Sequence, residues 1–275
     1  MTVVNETLNK DAFKALSLYS KKVKRDMNAS GSALVIMKDN KIVHESYSGM
    51  HHFEQGAKLI NKDSRFNVYS VRVTYVGLTI AIAIHDGLLN LDDKISDYLD
   101  EYNKEILGDT TIRHLLTRCT GLKFKDRNVY RVADLGTAIE GKRPEILAKI
   151  LYKATGKTVN EILSNRVFKP LNWTNTGWVT EGNQSLVCDI DSVKGYPTLR
   201  LGSNIGEDRN LYVSARELAL WGNIHLNKGI VEGRSILPQE IFELSTTVQS
   251  PASLSRQLPK FGFLWWVKDG EVTVD

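Results

Sequence analysis

The stretch from Ser70 to Asp86, SVRVTYVGLTIAIAIHD, is apolar around most of a helical circumference, and it constrains the fold more than any other segment. A surface helix carries one apolar stripe, whereas a helix lacking a polar face has to be wrapped by protein on all sides. Gly87 follows it, the residue a helix C-terminus prefers. The expectation is a central helix that other elements cover. It is too short for a membrane span, because Arg72, Thr74 and His85 interrupt it before roughly 20 apolar residues have accumulated.

The rest of the chain supplies what could do the covering. Residues 6–27 place Leu8, Phe13, Leu16, Tyr19, Val23 and Met27 at helical intervals. Residues 33–37 and 42–47 read as two strands around a turn at Asp39 and Asn40. Residues 88–93 read as a capped turn, and 110–122 as a short helix stopped by Gly121. Pro144 starts a helix that Gly156 ends. Thr158 with Glu161 forms a capping box, a device that Ser214 and Glu217 repeat. Pro238 opens another helix, and residues 261–275 around Asp269-Gly270 read as a hairpin with a primed turn. Strands at both ends with helices between indicate an α+β fold in which the N- and C-terminal strands join one antiparallel sheet. The expected organisation is a single domain over 1–275, with 1–65 and 255–275 forming the sheet and 66–254 mainly helical.

Bulk properties exclude several classes of function. With 275 residues and 42% hydrophobic content the chain can bury a sizeable core. A net charge of +4 without a long basic run gives no reason to expect nucleic acid. Lys21, Lys22, Lys24 and Arg25 read as the solvated face of the first helix, so neither nucleic acid nor membrane is expected as a partner. The first residues show no basic region followed by an apolar run, which places the chain in the cytoplasm as an expectation. Cys119 and Cys188 have no metal-ligand spacing and read as buried thiols; no cofactor and no metal are expected.

Five ordered segments stand out: Phe66-Asn67-Val68-Tyr69-Ser70, the run from Asp86 to Leu99 (DGLLNLDDKISDYL), Thr111 to Thr117 with Thr120-Gly121-Leu122, Thr155-Gly156-Lys157 followed by Phe168-Lys169-Pro170-Leu171, and Phe261 to Trp266. In this order and spacing they resemble a known family, the class C β-lactamase, DD-peptidase and esterase group of penicillin-recognising serine hydrolases. The resemblance covers essentially the whole chain. It implies a β-lactamase/transpeptidase-like fold and acyl transfer from a β-lactam, a D-alanyl peptide or a small ester to a serine at the start of a buried helix. Ser70 occupies that place.

The resemblance also marks departures. Such enzymes hold a lysine three residues after the serine to accept its proton, since i and i+3 share a helix face. Here that residue is Val73. Arg72 points to another side of the helix and does not deprotonate. The tyrosine motif falls near Ile139-Glu140-Gly141 and is absent; Tyr130 in Tyr130-Arg131-Val132 is the substitute candidate, with packing in the helical region as the alternative. The Lys-Thr-Gly or His-x-Gly motif would follow the 261–266 segment, and no such residues precede Asp275. The expected C-terminal strands are then truncated or dispensed with, leaving an edge through which oligomers could form.

The candidate catalytic residues are thus Ser70 and Tyr130. Ser70 is read two ways, as the nucleophile and as a helix N-cap without chemistry. His114 reads as structural, His51 and His52 as a surface loop without the ligands a metal needs, and at least one of Trp265 and Trp266 as core. The expected function is a serine hydrolase with weak or lost activity on a small-molecule or peptide substrate. The alternative is a non-catalytic pseudoenzyme that binds a cell-wall peptide or a protein.

Overall fold

The computed structural model describes residues 12–125, 128–190, 197–268 and 271–273. In chain order it opens with α1 (Lys14–Asp26), β1 (Gly31–Lys38), β2 (Lys41–Gly49) and β3 (Arg65–Asn67). A 3₁₀ turn, Tyr69–Val71, leads into α2 (Arg72–His85). Next come α3 (Lys104–Leu107), α4 (Ile112–Leu116), β4 (Leu122–Lys125), β5 (Asn128–Arg131), α5 (Pro144–Thr155) and α6 (Val159–Leu163). A π turn, Ser164–Phe168, precedes β6 (Thr176–Trp178), β7 (Asp189–Ile190), β8 (Pro197–Thr198) and β9 (Leu211–Ser214). The remainder is α7 (Ala215–Leu226), β10 (Ile230–Val231), β11 (Arg234–Ser235), α8 (Gln239–Thr246), β12 (Lys260–Phe261), β13 (Trp266–Lys268) and β14 (Glu271–Thr273).

The chain divides into two compact units, each assembled from three segments. The first comprises Met1–Val68, Leu171–Gly202 and Arg209–Asn227; the second comprises Tyr69–Pro170, Ser203–Asp208 and Lys228–Asp275. In the first unit, β1 and β2 pair antiparallel from Gly31↔Gly49 to Lys38↔Lys41. Asp39 (φ 49°) and Asn40 (φ 62°) both take the left-handed conformation that a two-residue hairpin turn of this kind needs. Helices α1 and α7 both pack on β1. A second antiparallel sheet has the order β3-β9-β6, and Val179, Leu186 and Tyr212 form a buried cluster against which Leu199 packs.

The second unit is organised around α2. Every residue from Arg72 to Ala83 is buried, and α5, α6 and α8 pack against the helix. The all-round apolar pattern has the consequence expected of it. Tyr75 meets Phe168 edge-on at 6.4 Å. The capping box at Thr158 and Glu161 forms as expected: the Thr158 hydroxyl accepts from the Glu161 amide and the Glu161 carboxylate accepts from the Thr158 amide. Gly156 ends α5 in the left-handed region, φ 67°.

Several expectations are modified. The α+β class stands, but among the described residues the terminal strands pair only with chain neighbours, in the separate sheets β1-β2 and β12-β13-β14. Local hairpins close the shortest loops, which is where pairing costs least chain entropy. Residues 66–254 are also less purely helical than expected, since β3, β6 and β9 make a sheet there. The first helix runs from Lys14, residues 1–11 lying outside the described ones, and stops before Asn28, whose φ is 50°. The C-terminal hairpin forms, with Lys268 opposite Glu271, while its turn at 269–270 lies outside the described residues. Its first strand is broken between Phe261 and Trp266, because Leu264 takes a φ of 65° and the Phe263 amide bonds to the Ser245 carbonyl.

Gly77 shows how tightly α2 is held. A β-carbon there would lie 2.5 Å from the Phe263 carbonyl oxygen, a backbone atom that cannot move aside alone. Alanine is favoured over glycine in a helix by roughly 1 kcal/mol. Gly77→Ala is nonetheless expected to destabilise the protein, by the ~1–3 kcal/mol typical of overpacking, and a urea titration of the two proteins checks the sign.

Candidate active site

Ser70 sits in the 3₁₀ turn that delivers the chain into α2, and it is exposed. The reading of Ser70 as an N-cap is not what the structure shows. The cap position of α2 is Val71, and no side chain caps the helix. Among the described residues the Ser70 hydroxyl has no hydrogen-bond partner in the protein. It therefore lies free at the positive end of a buried helix dipole. The residue before it, Tyr69, has a φ of 43°. The left-handed region costs a non-glycine residue about 1–2 kcal/mol, so the backbone that presents Ser70 is strained, a state found mainly where surrounding structure fixes a functional residue.

The neighbours of Ser70 on the helix supply no base. Val73 is 1% exposed. Arg72 is 6% exposed and its guanidinium is already engaged, donating from Nε to the Asp208 carbonyl at 3.0 Å and from Nη2 to the Glu207 carbonyl at 3.4 Å. Burying a cation without such partners would cost several kcal/mol. Arg72 thus holds the 207–208 segment to the head of α2.

Tyr130 lies on β5 opposite Lys123 and is half exposed. At 50% exposure it is not packed into the helical region, the alternative expected of it. No hydrogen bond joins Tyr130 to Ser70 among the described residues. Glu140, at the place of the missing tyrosine motif, is occupied structurally. Its carboxylate accepts from the Thr120 amide at 2.9 Å and from the Thr120 hydroxyl.

The histidines divide sharply. His114 Nδ1 accepts from the Thr111 amide at 3.2 Å and completes a capping box on α4, the structural role expected of it. His51 is not a surface-loop residue. It is 5% exposed because it bridges two segments of the first unit, contacting the Leu186 carbonyl through Nδ1 at 3.0 Å and Ser64 Oγ through Nε2 at 2.8 Å. Trp265 is half-buried and Trp266 exposed, so neither is core; Trp266 instead stacks on Phe261 at 6.3 Å. Ser214 caps α7 by accepting from the Glu217 amide, but the Glu217 carboxylate turns away to accept from the Thr174 and Asn175 amides and the Thr176 hydroxyl.

Sequence reasoning missed Ser64 and the burial of His51. Their pairing, and the approach of Leu186, depend on the parallel bridge between Arg65 and Leu186, a contact across 121 positions that no local pattern announces. Among the described residues no group of three or more His, Cys, Asp or Glu side chains is placed to hold a metal. None of the described helices is long and apolar enough to cross a membrane.

An exposed serine at the head of a helix buried from Arg72 to Ala83, on an α+β scaffold, is the arrangement found in the serine hydrolase-type fold. The chain belongs to the Beta-lactamase family, whose profile matches residues 20–273. It is 40% identical over 260 residues to an uncharacterised protein of Alkalihalophilus pseudofirmus, a match that covers 94% of this chain and 76% of that one. It is 22% identical to Protein flp of Staphylococcus aureus over 80% of this chain and half of that protein. In structure it resembles an octameric penicillin-binding protein homologue from Pyrococcus abyssi, with a TM-score of 0.77 at 17% identity, covering 95% of this chain and 67% of that one.

Burial and the nearby positive charge of Lys58 hold the His51 imidazole below its usual range. His114 and His225 shift in the same direction, His225 to about 4. The folded state therefore binds fewer protons than the unfolded one below the ordinary histidine pKa, so stability is full above about pH 6.5 and falls as the solution is acidified. His51→Gln is expected to shallow this loss between pH 6.5 and 5, measured as the slope of melting temperature against pH.

Proposed function

We propose that this chain is a serine hydrolase-type protein whose acyl acceptor is Ser70, taking a β-lactam, a D-alanyl peptide or a small ester, with turnover that is slow or lost. The observation that carries this reading is the exposed, unpartnered Ser70 hydroxyl at the head of α2, held there by a strained Tyr69. A serine hydroxyl is a weak nucleophile at neutral pH and needs a base. The position that would supply one carries Val73, which is buried hydrocarbon. The Ser70 backbone amide lies at a helix N-terminus, where the dipole favours negative charge developing on an acyl oxygen, which supports slow acylation by reactive substrates.

A second reading follows from the same pair of facts. A family member whose serine lacks a base can still recognise the ligand, so the protein acts as a non-catalytic binder of cell-wall peptide or of another protein. Hydrolysis of nitrocefin and of a p-nitrophenyl ester by the native chain and by Ser70→Ala separates the two. Acylation through Ser70 predicts that Ser70→Ala reduces the rate to background, whereas equal rates remove Ser70 from the mechanism. Val73→Lys is expected to raise nitrocefin turnover by about 10²-fold, the lower end of what a general base contributes. A folded Val73→Lys protein with unchanged turnover favours the binding reading.

A further inference from the structure

Ser64 Oγ lies 2.8 Å from His51 Nε2, and His51 Nδ1 lies 3.0 Å from the Leu186 carbonyl oxygen. A carbonyl only accepts, so Nδ1 carries the ring hydrogen. In the neutral ring Nε2 is then the acceptor, and the Ser64 hydroxyl donates to it. The Asn61 amide donates to Ser64 Oγ at 2.9 Å, which uses a lone pair and further directs the hydroxyl proton to the histidine; Asn61 Oδ1 stands farther off at 3.5 Å. A backbone N–H on that oxygen also favours its deprotonated form. Nucleophile, base and a group orienting the base are thus in place within the first unit, the arrangement that activates a serine.

The pair does not face solid core. Ser64 and His51 line a cavity of about 330 Å³ together with Lys58, Asn61, Asp63 and Gln184. That volume holds a small molecule, and polar side chains surround it, with Lys58, Asn61 and Gln184 placed to meet a polar acyl group. Ser64 and His51 are themselves 2% and 5% exposed, so a reactant meets them at the floor of this open cavity.

We infer that Ser64 and His51 form a second acyl-accepting pair, independent of Ser70, which takes short polar esters with good leaving groups. Ser64 Oγ attacks the ester carbonyl carbon while its proton passes to His51 Nε2. The ester C–O bond then breaks, the imidazolium returns the proton to the departing oxygen, and the alcohol leaves. Water attacks the acyl-serine, giving its proton to Nε2, and that proton returns to Ser64 Oγ as the carboxylic acid departs. Throughout, Nδ1 keeps its hydrogen and donates it to the Leu186 carbonyl, which fixes the ring.

The test is covalent labelling of the full chain by a small fluorophosphonate, followed by peptide mapping in a mass spectrometer. The expected result is an adduct on Ser64 in the native protein and in Ser70→Ala alike, with the rate of Ser64 labelling falling about 10²-fold in His51→Gln as the base is lost. The map of the native protein needs no variant to fold. Its failure to place an adduct on Ser64 overturns the inference, as does an undiminished rate in His51→Gln. An adduct on Ser70 alone overturns it too while leaving the proposed role of Ser70 standing.

Discussion

Burial of α2 from Arg72 to Ala83 is the constraint on which the second unit depends. Residues 72–83 expose no face to water, so α5, α6 and α8 have to close around them. Each large apolar side chain removed from water contributes roughly 1.5–3 kcal/mol, most of it offset by the chain entropy lost on ordering. Because the helix is apolar on every side, no rotation about its axis is preferred by amphipathicity alone. Close contacts set the rotation instead: Gly77 lies against the Phe263 carbonyl, and the Arg72 guanidinium bonds to the carbonyls at 207 and 208.

That fixation explains why Ser70 is presented as it is. A rigid helix beginning at Arg72 and a strand ending at Asn67 leave few residues in which the chain can turn, and Tyr69 absorbs the turn in the left-handed region. Ser70 is exposed as a result, while Val73, one helical turn further in, is buried. A family member with a lysine at that place would bury an amine, lowering its pKa toward a useful range. Here the same burial is filled by a side chain without polar atoms, which favours packing at the expense of proton transfer.

The first unit handles its polar groups differently. His51, Ser64, Asn61 and the Leu186 carbonyl form a connected set in which each donor has an acceptor, so burial of the imidazole is offset. Glu217 is treated alike, its carboxylate surrounded by the amides of Thr174 and Asn175 and the hydroxyl of Thr176. Both sets join segments distant in sequence and hold the three segments of the first unit together. In His51 the same hydrogen bonds that offset burial also define one tautomer, and a histidine with a defined tautomer beside a serine is chemically poised.

Local signals in the sequence were sufficient wherever the physics is local. The buried helix after Ser70, the turn at Asp39 and Asn40, the capping box at Thr158 and Glu161, the Gly156 stop and the structural role of His114 each rest on residues within a few positions of one another, as do the family resemblance and the exchange of lysine for Val73. Tertiary structure decided what depends on distant partners. It turned the Glu217 carboxylate from its expected cap toward residues 174–176, left Tyr130 half exposed on its hairpin, and carried Leu186 to His51 and Ser64 across more than a hundred residues. Periodicity and capping report the free energy of a segment with its neighbours along the chain, whereas the partner of a buried polar atom is set by which surfaces meet once the chain has folded.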